Sequence, residues 1–467
     1  MKPAALGVIA GVAAGAAIGA ASRGPSLVDW PSKIRTAFPF VTGGIAGASV
    51  GIKVGAFASL VDAARGKGKG PVSTIAPVFV GAGLATAAAI GGSIAKDKVL
   101  SGLEQQSREL DPYFATSTGN PLTSGSPASL VTMAELGREG ARFVGCISTP
   151  ADIKAVTGKK PVAEPVRVFV GVDAADTVEQ RVGLAMAELR RTGAFDRANL
   201  IIQAPAGTGF ANTTPIDVTE MLTLGDCASV AIGYGLLPSF LSLGKVGLGA
   251  QTQRLLLDAI REELVGREKR PRILLYGESL GARVQEAAVS AGPLDLDHYF
   301  VDAVLWVGSP GGLKSDEIHA LCAAESVTVD RPEQIAGVMR TPYPRVWFLE
   351  HDGDPVVRNR PALLLDRPFW LPASGQRGRN VPEGMNWKPG ITWATVLVDT
   401  LFATNVKPGD FQSKGHDYRA DLGGVVTAAY ALPADATTAA RLESHLRQLE
   451  VERAQRIDMT ADQVKSA

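Results

Sequence analysis

The stretch RILLYGESLGA (residues 272–282) decides the fold of this 467-residue chain. Its apolar run RILLY predicts a strand buried on both faces, and a helix is predicted over about 280–290. Between them lies the pattern G-x-S-x-G, whose two glycines permit a strained turn from strand to helix. The stretch therefore predicts that Ser279 is exposed at the edge of a sheet as a nucleophile, with the Leu280 amide beside it as an oxyanion donor.

The same pattern occurs a second time at residues 47–51, so the pattern alone is weak. That copy lies inside an apolar, glycine-rich stretch, and Ser49 is interpreted as a packing residue. Only the copy at Ser279 has a predicted strand before it and a predicted helix after it.

Apolar runs alternate with helical patterns on both sides of Ser279. Strands are predicted at 167–173, 199–205, 227–235, 303–308 and 345–351, and helices at 177–192, 251–268 and 437–457. This alternation predicts an α/β fold with a mostly parallel sheet and helices on both faces.

A nucleophile in this context is followed along the chain by an acid and then a histidine. Asp354 is the predicted acid because it lies in the loop after the late strand at 345–351, and Asp352 is the alternative. His416 is the predicted general base, because it lies in the glycine-flanked loop SKGHDY at 413–418. His351 adjoins the acid loop, and is either a rival base or a residue that lines the site.

The other histidines are weaker candidates for the base. His298 and His319 precede the acid in the chain, and His445 lies on the charged C-terminal helix, where it is interpreted as a surface residue.

The loop QAPAGTGF (203–210) follows a predicted strand and is expected to supply the second oxyanion donor, the Thr208 amide. Its glycines let the backbone approach a bound molecule closely. The residues predicted to contact the substrate are Gly207, Gly209, Phe210, Glu278 and His351.

The first hundred residues differ from the rest in charge. The whole chain balances 47 Lys and Arg against 47 Asp and Glu, but residues 1–100 hold ten basic and three acidic residues. Three low-charge stretches, at about 4–22, 38–61 and 72–95, are each long enough to span a bilayer as a helix. We therefore predict a membrane region over 1–100. A cleaved signal peptide for the first stretch, or a water-soluble Ala/Gly-rich assembly, is the alternative.

Glycines recur every four residues in two of these stretches, at positions 7, 11, 15 and 19 and again at 43, 47, 51 and 55. This spacing is typical of helices that pack closely in a membrane, within one chain or between copies in a homo-oligomer. The basic loop at 65–69 predicts a cytoplasmic position for that loop and an outer position for the part of the chain after the spans, whereas Arg23, Lys33 and Arg35 in the other loop favour the opposite orientation.

The composition excludes several other functions. The basic residues flank apolar stretches without aromatic stacking motifs, so nucleic-acid binding is not expected. The three cysteines are widely spaced and form no zinc pattern, and neither a metal nor a cofactor is predicted. The predicted organisation is a membrane region at 1–100, a linker at 101–126, a catalytic domain at 127–432 and a C-terminal helix at 433–467.

Several blocks of the chain together resemble the actinobacterial membrane-anchored α/β-hydrolases. The blocks are GSPASLVTMAELGREGARFVG (125–145), ELRRTGAFDRANLIIQAPAGTGF (188–210), YGESLGA (276–282), LWVGSP (305–310), HDGDPVV (351–357) and GHDY (415–418). The resemblance implies an α/β-hydrolase fold with Ser279 as nucleophile, Asp354 as acid and His416 as base. The N-terminal region, with about three predicted spans, is shorter than in that family.

The residues and the resemblance together predict a membrane-anchored serine hydrolase of the esterase or lipase type. It would cleave an acyl ester, with a lipid-like substrate, at the cell membrane and on its outer side. An acyltransferase that uses the same triad, or an oligomeric membrane scaffold with a vestigial hydrolase domain, are the alternatives.

Overall fold

The computed structural model describes residues 25–28, 93–237, 242–403 and 413–466. These residues form two compact units. The larger unit contains the described residues within 102–351 and 413–466, and the smaller unit contains those within 25–28, 93–101 and 352–403.

A seven-stranded sheet lies at the centre of the larger unit, with the strand order β1-β3-β2-β4-β5-β7-β6. The strands are β1 (Val166–Val170), β2 (Asn199–Ala204), β3 (Cys227–Ile232), β4 (Arg272–Glu278), β5 (Val301–Val307), β6 (Ser326–Val329) and β7 (Val346–Leu349). All neighbouring strands are parallel, which confirms the predicted parallel sheet. Every residue of β1, β2, β3 and β7 is buried, as the continuous apolar runs require of strands covered on both faces.

Helices precede the first strand, connect the strands and follow the last of them. They are α1 (Ser93–Arg108), α2 (Met133–Gly145), α3 (Pro150–Thr157), α4 (Val178–Arg191), α5 (Thr214–Leu222), α6 (Val246–Leu264), α7 (Leu280–Ala288), α8 (Pro293–His298), α9 (Leu313–Cys322), α10 (Ile335–Val338), α11 (Pro355–Arg358), α12 (Ile391–Phe402), α13 (Arg419–Ala429), α14 (Ala436–Ile457) and α15 (Ala461–Ser466). One group of packed helices contains α4, α6 and α7, and another contains α5, α13 and α14. Capping boxes at Thr132, Thr149 and Thr177 fix the starts of α2, α3 and α4.

The edge strand β6 was not expected from the sequence. It has only four residues, of which three are partly or fully exposed, so its sequence lacks the long apolar run of the central strands. The other six strands lie where they were predicted, with ends that differ by a few residues.

A buried cluster of charged side chains joins the C-terminal helix to the sheet. Arg167 on β1 lies 2.6 Å from both Asp217 and Glu220 of α5, and all three side chains are fully buried. Arg453 of α14 also pairs with Asp217, and it donates to the carbonyl of Cys146 at 2.8 Å. The helix predicted at 437–457 is therefore an integral part of the larger unit.

Residues 112–126, part of the predicted linker at 101–126, pack on the rest of the larger unit. Phe114 is buried against α2, and Thr123 forms an isolated parallel bridge with Arg167 at the edge of the sheet.

The smaller unit has a hydrophobic core of its own. Its buried side chains are Leu27, Leu363, Trp370, Leu371, Val381, Met385 and Val396. The Leu27 amide donates to Asp399 of α12 at 2.9 Å, so the short described segment 25–28 is held by both polar and apolar contacts.

The predicted membrane stretches at 4–22, 38–61 and 72–95 lie outside the described residues, apart from the last three positions, which belong to α1. Their glycine pattern and Ser49 likewise lie outside them. None of the helices within the described ranges is both long enough and apolar enough to span a bilayer.

Candidate active site

Ser279 occupies the corner between β4 and α7. Its backbone has φ 55° and ψ −123°, a conformation that a residue with a side chain rarely adopts. Such a conformation costs roughly 1–3 kcal/mol and persists only where the surrounding structure holds it. The Ser279 amide donates to the carbonyl of Val307 at 2.8 Å, which ties the corner to the end of β5.

Both glycines of the G-x-S-x-G pattern are sterically required. A Cβ atom on Gly277 would lie 2.7 Å from the backbone of Ala282, and one on Gly281 would overlap the carbonyl oxygen of Ala204. The corner is therefore packed tightly against the end of β2, where the loop 205–210 begins. Leu280 is the first residue of α7, so its amide has no acceptor within the helix.

The His416 ring lies against the backbone at the end of β5. A Cβ atom on Gly308 would lie 2.9 Å from Cε1 and 3.2 Å from Nδ1 of His416. Gly308 directly follows Val307, whose carbonyl holds the Ser279 amide. Ser279 and His416 thus both lie against the same end of β5, although no helix or strand contains His416.

His351 lies just after β7 and is fully buried. Its Nδ1 lies 2.9 Å from the carbonyl oxygen of Gly415, and its Nε2 lies 2.8 Å from Oδ2 of Asp421. The ring stacks on Tyr418 with 4.0 Å between ring centroids. Both ring nitrogens of this predicted substrate contact are therefore engaged by protein groups.

The loop that carries Thr208 is a closed turn. The Ala206 amide donates to the carbonyl of Phe210 at 2.8 Å, and the Gly209 amide donates to the carbonyl of Ala206 at 2.9 Å. Position 209 requires glycine because its φ is 89°. A Cβ on Gly207 would lie 2.6 Å from the Leu237 carbonyl, so close packing excludes a side chain there.

A shallow groove, open to solvent, lies beside this turn. Its apolar lining comes from Leu136, Phe169, Val172 and Leu236, with Thr208 and Gly209 at the turn itself, and its polar lining comes from Ser107, Arg138 and Glu139. Burial raises the pKa of Glu139, while the neighbouring Arg142 and Arg138 lower it by less. Phe210 is 44% exposed next to the groove.

Glu278, the last residue of β4 before the Ser279 corner, accepts two side-chain hydrogen bonds. Its Oε2 accepts hydrogen bonds from the Tyr276 hydroxyl and from Nδ2 of Asn212, both at 2.7 Å. Burial raises the pKa of Tyr276 well above its ordinary value, and the Glu278 charge and hydrogen bond raise it further. The phenol therefore stays protonated and keeps Glu278 as its acceptor.

Asp354 and Asp352 belong to the smaller unit. Asp354 is fully buried and caps α11, where its Oδ1 accepts from the Val356 amide at 2.8 Å. Asp352 is partly exposed, with Oδ1 3.4 Å from Arg358 and Oδ2 accepting from the Arg379 amide at 3.3 Å.

Comparison with known proteins identifies the family. The alpha/beta-hydrolase family pattern matches residues 166–443, which is more than half of the chain. The chain belongs to the alpha/beta-hydrolase family. Its parallel seven-stranded sheet is the fold of that family, and membership supports a hydrolase.

Among solved structures, this alpha/beta-hydrolase resembles an iodinated complex of acetyl xylan esterase. The identity is 16% and the TM-score 0.23, and the match covers 35% of this chain and 87% of that chain. No curated protein matches the sequence.

The remaining histidines of this alpha/beta-hydrolase lie on α8, α9 and α14. His319 on α9 pairs with Glu350 at 3.0 Å and stacks on Phe348, and His298 ends α8. His445, expected at the surface, lies 2.9 Å from Asp152 and is only 14% exposed in its side chain. Within the described ranges, no cluster of three His, Cys, Asp or Glu side chains is arranged to hold a metal ion.

Sequence reasoning missed four residues that build this site: Gly308, Tyr418, Asp421 and Asn212. Two of them lay in blocks that carried the family resemblance, LWVGSP and GHDY. Their neighbours in space come from distant parts of the chain, so the sequence offered no signal for the roles of their side chains.

Proposed function

We propose that this alpha/beta-hydrolase cleaves acyl esters with Ser279 as nucleophile, His416 as general base and Asp354 as the acid that orients His416. One observation carries the proposal. The Ser279 amide at the strained corner is hydrogen-bonded to the Val307 carbonyl, and the His416 ring packs against the next residue, Gly308. A nucleophile and a base at one end of the sheet are the arrangement that acyl transfer through serine needs.

The reaction proceeds in two halves. His416 takes the proton from Oγ of Ser279 as that oxygen attacks the acyl carbonyl, and it then gives the proton to the leaving alcohol. In the second half, His416 takes a proton from water, which attacks the acyl-enzyme and releases the acid. The amides of Leu280 and Thr208 hold the oxyanion, and removal of one such donor typically costs about 2.7–4 kcal/mol of transition-state stabilisation.

The surroundings of the two aspartates support Asp354 over Asp352 as the acid. The Asp352 carboxylate is used by Arg358 and the Arg379 amide, whereas Asp354 is buried and fixed as a helix cap. Asp354→Asn should lower kcat about 10⁴-fold, as loss of the orienting carboxylate does in other serine triads. The matched variant Asp352→Asn should keep most of the activity. If Asp352→Asn lowered kcat more than Asp354→Asn, Asp352 would be the acid instead.

The groove beside Thr208 is proposed to hold the acyl group. It lies next to a proposed oxyanion donor, and Phe169, Leu136 and Val172 give it apolar walls. A series of p-nitrophenyl esters from acetyl to decanoyl would define the length that fits, read as kcat/KM. Phe169→Ala should shift the preference towards longer chains, and an unchanged profile would place the acyl group elsewhere.

Labelling with a fluorophosphonate probe tests the nucleophile directly. The wild-type protein should be labelled at Ser279 and should hydrolyse p-nitrophenyl acetate, and Ser279→Ala should do neither. Ser229→Ala removes another buried serine, from β3, and serves as the matched control. Full esterase activity in Ser279→Ala would refute the assignment, and an unlabelled wild-type protein would favour a scaffold.

We extend the proposal to attachment at the cell membrane through residues 1–100, with a lipid-like substrate on the outer side. The support is the sequence pattern of three low-charge stretches with regular glycines. The full-length protein should remain in the membrane pellet after alkaline carbonate extraction, and protease added outside intact cells should cleave the catalytic part. Chemical crosslinking in the membrane tests the proposed homo-oligomer. Release by carbonate would refute the anchoring.

A further inference from the structure

His351 and Asp421 form a buried pair beside the His416 loop. Their side chains are 1% and 6% exposed, and Nε2 of His351 lies 2.8 Å from Oδ2 of Asp421. The other ring nitrogen, Nδ1, lies 2.9 Å from the carbonyl oxygen of Gly415. A carbonyl oxygen can only accept, so Nδ1 must carry a proton.

Asp421 holds the second ring nitrogen. Its Oδ2 accepts a hydrogen bond from the Ser413 hydroxyl, and it shares one proton with Nε2 of His351. Both ring nitrogens of His351 are therefore hydrogen-bonded to the segment 413–421.

The His351 ring also packs on an aromatic side chain of the same segment. It stacks on Tyr418 with 4.0 Å between centroids and 28° between planes. The backbone amide of His351 also donates to the Tyr418 hydroxyl at 3.1 Å, so one residue holds Tyr418 in two ways.

These contacts lie on both sides of His416. Gly415 directly precedes it, and the Tyr418 ring meets its ring edge-on, at 5.7 Å between centroids and 83° between planes. Because the loop that carries His416 belongs to no helix or strand, its position depends on such contacts.

We propose that His351 is a positioning residue that clamps the segment from Ser413 to Asp421 and so directs His416 towards Ser279. This inference rests on the proposed function, because it gives His416 the role of general base. It assigns His351 to the support of the base rather than to contact with the substrate.

Two substitutions separate the clamp from general stability. His351→Leu removes both ring hydrogen bonds and should lower kcat for p-nitrophenyl acetate at least tenfold, with KM within about twofold. His351→Gln keeps one N–H that can reach the Gly415 carbonyl and should recover part of that loss. His319→Leu is the matched control, since His319 forms the same kind of pair with Glu350 and the same kind of stack with Phe348.

A spectroscopic measurement tests the hydrogen bond to Gly415. With ¹⁵N-labelled histidine, the five histidine rings can be resolved, and His351→Gln assigns the His351 signals. Nδ1 of His351 should show a directly bonded proton that exchanges slowly with solvent, because it is buried and donates to the Gly415 carbonyl. An Nδ1 without a bonded proton would overturn the proposal.

The kinetic outcomes distinguish this inference from the proposed function. A labelled, active wild-type protein whose His351→Leu variant has the same kcat as His319→Leu overturns the positioning role alone. A wild-type protein that is neither labelled at Ser279 nor active overturns the proposed function and this inference with it.

Discussion

Gly308 offers a way to move the His416 ring without changing any catalytic side chain. A methyl group at this position would lie 2.6 Å from Cε2 of Tyr418 and 2.9 Å from Cε1 of His416. Ordinary contact with a Cβ begins near 3.4 Å. Gly308→Ala therefore requires the His416 ring to move by about 0.5 Å, and the Tyr418 ring by somewhat more, or the end of β5 to shift instead.

The expected loss of activity follows from this displacement. A misplacement of about 1 Å at a reacting group can lower the rate about 100-fold, so half of that should lower kcat about tenfold. Tenfold corresponds to about 1.4 kcal/mol in the activation free energy. The φ of 56° at Gly308 adds a conformational cost of about 1–2 kcal/mol to the free energy of folding when alanine replaces glycine.

Gly312→Ala separates these two effects. Gly312 also has a positive φ, 138°, in the same connection after β5, but a Cβ there would meet no atom within 4 Å. Both variants should unfold at lower urea concentrations than the wild type, and only Gly308→Ala should lower kcat for p-nitrophenyl acetate and the rate of fluorophosphonate labelling. Equal kcat values for the two variants would refute the placement of His416.

Two further predictions concern stability. Burial raises the pKa of Glu286, so the folded protein binds this proton at a pH where the unfolded chain has lost it, and the free energy of unfolding falls as pH rises above about 4. Glu286→Gln should remove up to about 1.4 kcal/mol per pH unit of this dependence, measured by urea unfolding between pH 4 and 8, and an unaltered pH profile would contradict the shift. Arg453→Met should lower the free energy of unfolding by about 3 kcal/mol because the buried Asp217 keeps only Arg167 as a cation, whereas Arg447→Met on the exposed side of α14 should change it little. Equal urea midpoints for these two variants would count against the buried cluster.

The strands could be predicted because burial on both faces leaves a simple sequence signal. RILLY and NLIIQAP are continuous apolar runs, and both became central strands with every apolar side chain buried. The position of the corner at Ser279 could be predicted from the G-x-S-x-G pattern, because the local backbone geometry of the corner requires both glycines. The short, half-exposed β6 has no such signal.

Contacts between distant residues could not be predicted in this way. Arg167 lies in a strand and is fully buried, although arginine is almost never fully buried unless it is paired. Its partners Asp217 and Glu220 are about fifty residues away, and nothing local marks them. The sequence likewise left His351 with two possible roles, because its partners at Gly415 and Asp421 lie more than sixty residues further on.

The order in which the chain emerges during synthesis gives the buried charged cluster a further consequence. Arg167, Asp217 and Glu220 are made early, and together they hold one cation and two carboxylates. The fourth member, Arg453, leaves the ribosome more than 230 residues after Asp217, and only then is the cluster electrically neutral. At a synthesis rate of about 5–20 residues per second, Arg453 is added roughly 10–50 s after Asp217. Completion of the larger unit therefore follows the synthesis of α14.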